Sequence, residues 1–293
     1  MSLGEAEESE VEASRAPLLD HLIELRKRLI IAILAVGVGF LIAYVFASQI
    51  ITVLLHPFEV AQAVVALRHG HAGGEGPFDL LRAMAQPRSV NTHGARLNVI
   101  STAPLETFFT KMKVAMFGGL VLSFPVLASQ VYAFVAPGLY RRERRAFLPF
   151  LLAAPILFCM GAALVYFVML PFILWFSLNQ QMLSPTVQIQ LMPRIGDYLD
   201  LITKLLLGFG LCFQLPVVVT LCGMAGLITA QQLAGGRRYA IVGIVVVSAL
   251  VTPPDMISPF LLAAPIYLLY EVSIWCVRLM ELRRRRGDLA GTA

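Results

Sequence analysis

The chain carries runs of apolar residues long enough to cross a lipid bilayer, and no other feature limits its fold as strongly. A spanning helix needs about 20 such residues, and four segments meet that length: 29–51, 114–135, 147–172 and 201–227. The hydrocarbon layer offers backbone amides and carbonyls no water, so these segments are predicted to be helices. Hydrophobic residues fill 58% of the 293 positions and charged ones 14%, at a mean hydropathy of +0.77, which excludes an ordinary water-soluble domain. Glu5, Glu7, Glu8, Glu10 and Glu12 stand where a signal peptide would need an apolar core, so the first span is expected to stay in the mature chain. Residues 1–16 read as an acidic, disordered tail.

Two further apolar runs, 240–252 and 256–277, are shorter. At about 1.5 Å per residue, Ala240 to Val251 covers roughly 18 Å of about 30 Å of hydrocarbon. The second run is interrupted by Pro259, Pro265 and Glu271. The pair reads as two short spans or a re-entrant hairpin, and two short spans that thin the local bilayer are expected. Residues 17–278 then form one membrane domain, and 279–293 form a basic tail.

Orientation follows from Lys and Arg in the connections. Arg15, Arg26, Lys27 and Arg28 precede the first span, and Arg141, Arg142, Arg144 and Arg145 join the second to the third. Arg237, Arg238, Arg278 and Arg283 to Arg286 flank the last two. Both termini are therefore expected in the cytoplasm. The outer loop, 52–113, contains a Gly/His-rich insertion at about 67–97 and a helical lead over 104–113. Basic residues beside apolar spans are explained by topology, so no nucleic-acid partner is expected.

Cys159, Cys212, Cys222 and Cys276 lie in apolar runs without metal-ligand spacing and read as small buried hydrophobes. His69, His71 and His93 could bind a metal, but the Gly/His-rich stretch reads first as a flexible insertion, and neither metal nor cofactor is expected. No catalytic residue is assigned, because no Ser/His/Asp set, zinc motif or phosphate-binding loop is present.

Chemistry concentrates instead in two basic segments. Pro17 to Leu29 repeats Leu18, Leu22, Leu25 and Leu29 at helical spacing, which predicts an amphipathic helix entering the first span. Glu24 is four residues before Arg28; it either pairs with Arg28 along the helix or receives a cationic partner. Glu143 stands among four arginines in Ala136 to Arg145, with the same two readings. Inside the membrane, Gln214 needs a partner helix or a cavity, Asp200 most simply pairs with Lys204, and Asp255 and Glu271 fall at opposite faces.

These stretches resemble the TatC family, the receptor subunits of twin-arginine protein translocases. The similarity rests on His21 to Leu29, on Phe134 to Tyr140 with Glu143 and Arg144, on Thr252-Pro253-Pro254-Asp255 and on Leu269-Tyr270-Glu271. It implies an all-α, cupped, six-span receptor that binds the paired arginines of a folded preprotein's signal peptide. Glu24 and Glu143 would receive the arginines. Leu25, Arg26, Phe134 and Leu139 would shape the two loops, Gln214, Thr252 and Asp255 would serve intramembrane or partner contacts, and Pro57 would shape the outer cap. The partners implied are the signal peptides, single-span TatB- and TatA-like proteins, the lipid bilayer and further copies of the chain. Pro259 and Gln214 depart from relatives that carry Gln and Glu there, and the insertion at 67–97 has no obvious counterpart.

The reading that follows is a non-enzymatic receptor in the inner membrane of a bacterium, with transport driven by the proton-motive force. A secondary transporter for a small solute is the alternative, but it should show inverted repeats and a midplane site. An intramembrane hydrolase would lack both nucleophile and base.

Overall fold

A computed structural model describes residues 3–68, 104–135, 148–179, 194–224, 226–252 and 258–290. Its helices are α1 (Leu3–Val45), α2 (Ala47–Arg68), α3 (Glu106–Val135), α4 (Leu148–Leu164), α5 (Leu170–Asn179), α6 (Ile195–Cys212), α7 (Leu215–Met224), α8 (Ala230–Gly235), α9 (Arg237–Val251) and α10 (Ser258–Ala290). Five stretches are long and apolar enough to cross a membrane: Leu22–Val45, Glu106–Ala133, Leu151–Leu174, Ile195–Met224 and Pro259–Leu282. The protein is thus an all-helical membrane protein among the described residues. At 15 residues, α9 is only about 22 Å long, below the bilayer's hydrocarbon thickness.

Three boundaries differ from expectation. The helix α1 begins at Leu3, where a disordered tail was expected, and α10 continues to Ala290. The first span lies at Leu22–Val45 rather than 29–51, because the chain turns at Phe46. Beyond that turn α2 buries Leu54, Phe58 and Ala61 in the main core, so tertiary burial divides an apolar run that hydropathy reads as continuous.

Prolines account for the remaining interruptions. Pro171 has no N–H for the carbonyl of Phe167, and the helix widens to a π turn over Val165–Met169, where the Leu170 N–H reaches back to the Val165 oxygen. Pro216 likewise leaves Cys212 without its donor, and the fourth span breaks into α6 and α7 at Phe213 and Gln214. Pro57, buried inside α2, deprives the Val53 carbonyl of its partner. The Tyr166 hydroxyl donates to that oxygen at 2.8 Å, and the Tyr198 hydroxyl donates to the next, Leu54, at 3.1 Å. A buried carbonyl without a donor costs about 1–3 kcal/mol, so the Tyr166 hydroxyl on Val53 is what lets α2 hold this proline, while Tyr198 adds a second tie to the same helix.

Small residues set the closest packing. Gly39 of α1 and Gly119 of α3 cross so tightly that a Cβ on Gly39 would lie 2.5 Å from the Gly119 oxygen. Ala43, Ala47 and Ala115 extend this seam and are 0–1% exposed. Backbones that approach this closely gain dispersion contacts, the main attraction between helices in lipid. Between α4 and α6 the packing is reciprocal: the Phe158 ring covers Gly210, and the Phe213 ring covers Gly161. Phe158 also stacks on Phe124 at 4.2 Å between centroids, which joins α3 to this pair.

Candidate functional site

The α1–α3 seam ends in a carboxylate. Along α1 the less exposed positions Glu24, Arg28, Ala32, Ala35, Gly39 and Ala43 recur every three or four residues and so share the face turned toward α3. The two helices are antiparallel, since Gly39 meets Gly119 while Lys111 lies 5.4 Å from the Tyr44 ring. At equal rise per residue, Glu24 comes about level with Phe134, in the last turn of α3, which ends at Val135 before the segment bearing Glu143. Met280 of α10 packs against the cluster containing Ala128 and Tyr132, so the C-terminal part of α10 reaches the same end.

Glu24 is 34% exposed and Arg28 24%. The expected pair forms: Arg28 Nε donates to Glu24 Oε1 at 3.2 Å, and Nη2 contacts the same oxygen. Leu22, Leu25 and Leu29 are 58%, 42% and 56% exposed, so an apolar stripe stands beside the carboxylate. Arg26 is exposed. Phe134 lies in the last turn of α3, and its side chain, like Leu139, Glu143 and Asp255, lies outside the described residues.

Two further acids of α10, Glu271 and Glu281, are engaged within the protein. Glu271 receives Arg237 Nε at 2.8 Å and Nη2 at 2.9 Å, and accepts from the Tyr267 hydroxyl at 2.9 Å. Glu281 accepts the Ala230 amide at 2.9 Å, and Tyr270 donates to the Leu233 carbonyl at 2.8 Å. Together these bonds fix α8 and the start of α9 against α10. The sequence pointed to Glu271 but not to its partner, since Arg237 was counted only toward topology.

Elsewhere one pairing is corrected. Asp200 binds Lys113 of α3, at 2.8 and 3.0 Å, rather than Lys204 one turn away. A bond between helices satisfies the acid and links α3 to α6, which the intrahelical alternative would not. Gln214 does find a partner helix: its amide donates to the Ala154 carbonyl of α4 at 2.8 Å. Thr252 is buried and closes α9, with both its N–H and its hydroxyl on the Ser248 carbonyl. The cysteines are not buried as expected: Cys159 is exposed, Cys212, Cys222 and Cys276 are half-buried, and all four are free. No cluster of metal ligands occurs among the described residues, and the histidines at 69, 71 and 93 lie outside them.

Comparison with known proteins places this geometry. The family described as Sec-independent protein translocase protein (TatC) matches residues 20–265. The TatC of Magnetococcus marinus is 38% identical over 279 residues, covering 95% of this chain and 90% of that protein. The TatC of Escherichia coli K12 is 34% identical over 262 residues, covering 89% and 88%. A crystal structure of the twin-arginine translocase receptor TatC superimposes with a TM-score of 0.67 at 32% identity, covering 88% of this chain and 98% of that one. A match over most of the length, in sequence and in fold, leaves one conclusion: the chain belongs to the TatC family of Sec-independent protein translocase proteins.

Proposed function

We propose that this chain is the receptor subunit of a twin-arginine translocase, embedded by six spans in the bacterial cytoplasmic membrane with both termini in the cytoplasm. It binds the paired arginines of a signal peptide and performs no catalysis itself. Glu24 and Glu143 take the guanidinium groups, and Leu25, Arg26, Phe134 and Leu139 shape the surface around them. Single-span TatA- and TatB-like proteins join it in the membrane, where Gln214, Thr252 and Asp255 are the candidate contacts, and transport draws on the proton-motive force. Pro57 shapes the outer cap.

The observation that carries this reading is Glu24 at the end of the α1–α3 seam, partly buried and beside the exposed Leu22, Leu25 and Leu29. A guanidinium binds a carboxylate through two parallel bonds, and the leucines offer the apolar part of a signal peptide a place to lie. Arg26, Lys27, Arg237 and Arg238 near this end support its cytoplasmic assignment. The small-solute transporter reading has no support from the family comparison.

The test is export in cells whose only TatC is this chain. A folded reporter with a twin-arginine signal should reach the far side of the membrane, and removing the chain should leave it in the cytoplasm while Sec-dependent export continues. Unchanged export of that reporter without the chain would refute the proposal.

A further inference from the structure

The geometry points to Arg28 as the resident occupant of the cation site: in the empty receptor its guanidinium holds the place on Glu24 that an incoming arginine must take. The inference rests on the receptor reading above and adds a residue that sets the binding threshold. Both contacts from Arg28, through Nε and Nη2, fall on Oε1 of Glu24. Among the described residues nothing else is shown on the second oxygen, Oε2, so a signal arginine can dock there first and then displace Arg28 from Oε1.

Arg28 meets the requirements of such a competitor. It lies one turn from Glu24 on the face turned toward α3, and at 24% exposure it is more buried than the acid it holds. Acid followed by base four residues later is the favourable order on a helix. Lys27, one residue away, is exposed and turns to another side of the helix. Three cations stand in a row at the start of the first span, yet only Arg28 is shown against Glu24. A ligand with a single ordinary cation then meets a carboxylate that is already served, while a paired-arginine ligand brings enough contact to complete the exchange. Arg28 thus weakens every cationic ligand at this site by a similar factor and keeps weakly basic peptides off the receptor.

A double-mutant cycle tests this with the full-length protein in nanodiscs and a fluorescent twin-arginine signal peptide. Arg28→Gln should tighten binding by about two- to five-fold, the range of a partly exposed i,i+4 pair. Lys27→Gln, which removes the same charge without the contact, should change it less. The gain from Arg28→Gln should vanish in the Glu24→Gln background, because nothing remains to be released. Arg28→Lys, which keeps charge and helix propensity but loses the two-nitrogen contact, should fall between wild type and Arg28→Gln and guards against a folding defect in the latter. Weaker or unchanged binding in both Arg28 variants, or a gain equal to that of Lys27→Gln, would overturn the inference and leave the receptor reading intact. If Glu24→Gln binds as well as wild type, the receptor site itself is misplaced.

Discussion

Leucine at Gly119 is expected to push α1 away from α3 and to lower the unfolding temperature in detergent by on the order of 10 °C, from about 3 kcal/mol of overpacking. A Cβ at this position would stand 2.5 Å from the Phe40 nitrogen, 2.7 Å from its Cα and 2.9 Å from the Gly39 carbonyl carbon. All three are backbone atoms, so no side-chain rotation relieves the clash and the helices must separate. In lipid that separation is costly, because close backbone contact is what holds two apolar helices together in an apolar solvent. Gly37, on α1, is the control: a Cβ there meets nothing within 4 Å, and Gly37→Leu should unfold within a few degrees of the wild type. Equal thermal stability of the two variants, read by size-exclusion after heating, would contradict the packing account. The site shares this fate, since Glu24 belongs to the face of α1 that the seam holds against α3.

Alanine at Glu24 is expected to weaken binding of a twin-arginine signal peptide by about 10- to 100-fold, the value of one or two charge-assisted hydrogen bonds, with no comparable loss of thermal stability. The surrounding charge makes this effect local. Arg26, Lys27 and Arg28 repel an arginine pair, and at physiological salt their fields fade over about 8 Å. Attraction must therefore come from carboxylates in contact, and Glu24 is a carboxylate at this end whose partner can be exchanged without disturbing another helix. Glu271 and Glu281 each hold a neighbouring segment in place, so Glu271→Ala should lower stability first and binding only as a consequence. Equilibrium binding and thermal unfolding of the same preparations separate the two cases.

Much of this was legible in the sequence because membrane helices announce themselves by length and hydropathy: α3 ends with its apolar run at Val135, and α9 matches the run 240–252 to within three residues. The Glu24–Arg28 pair was equally legible, since the two residues are one helical turn apart. What hydropathy could not show was direction within an apolar run. The turn at Phe46 depends on Leu54 and Phe58 finding the core, a fact about tertiary packing. The Lys113–Asp200 bond joins residues of different helices and so loses in any reading by spacing to the nearer Lys204. Tyr166 carried no motif, yet one signal could have found it: a proline inside an apolar helix leaves a carbonyl that some hydroxyl or amide must serve. The same rule finds the widened turn before Pro171 and the break before Pro216.

The central claim is that the arginine pair of a signal peptide docks where α1 and α3 end together. A signal peptide with a photoreactive residue beside its arginine pair, illuminated with the receptor in native membranes and mapped by mass spectrometry, tests it most directly. Adducts should fall within residues 22–28 and 134–147, and should be lost with Glu24→Ala. Adducts concentrated at the opposite end, around Glu59, Lys113 and Asp200, or a pattern unchanged by Glu24→Ala, would contradict it.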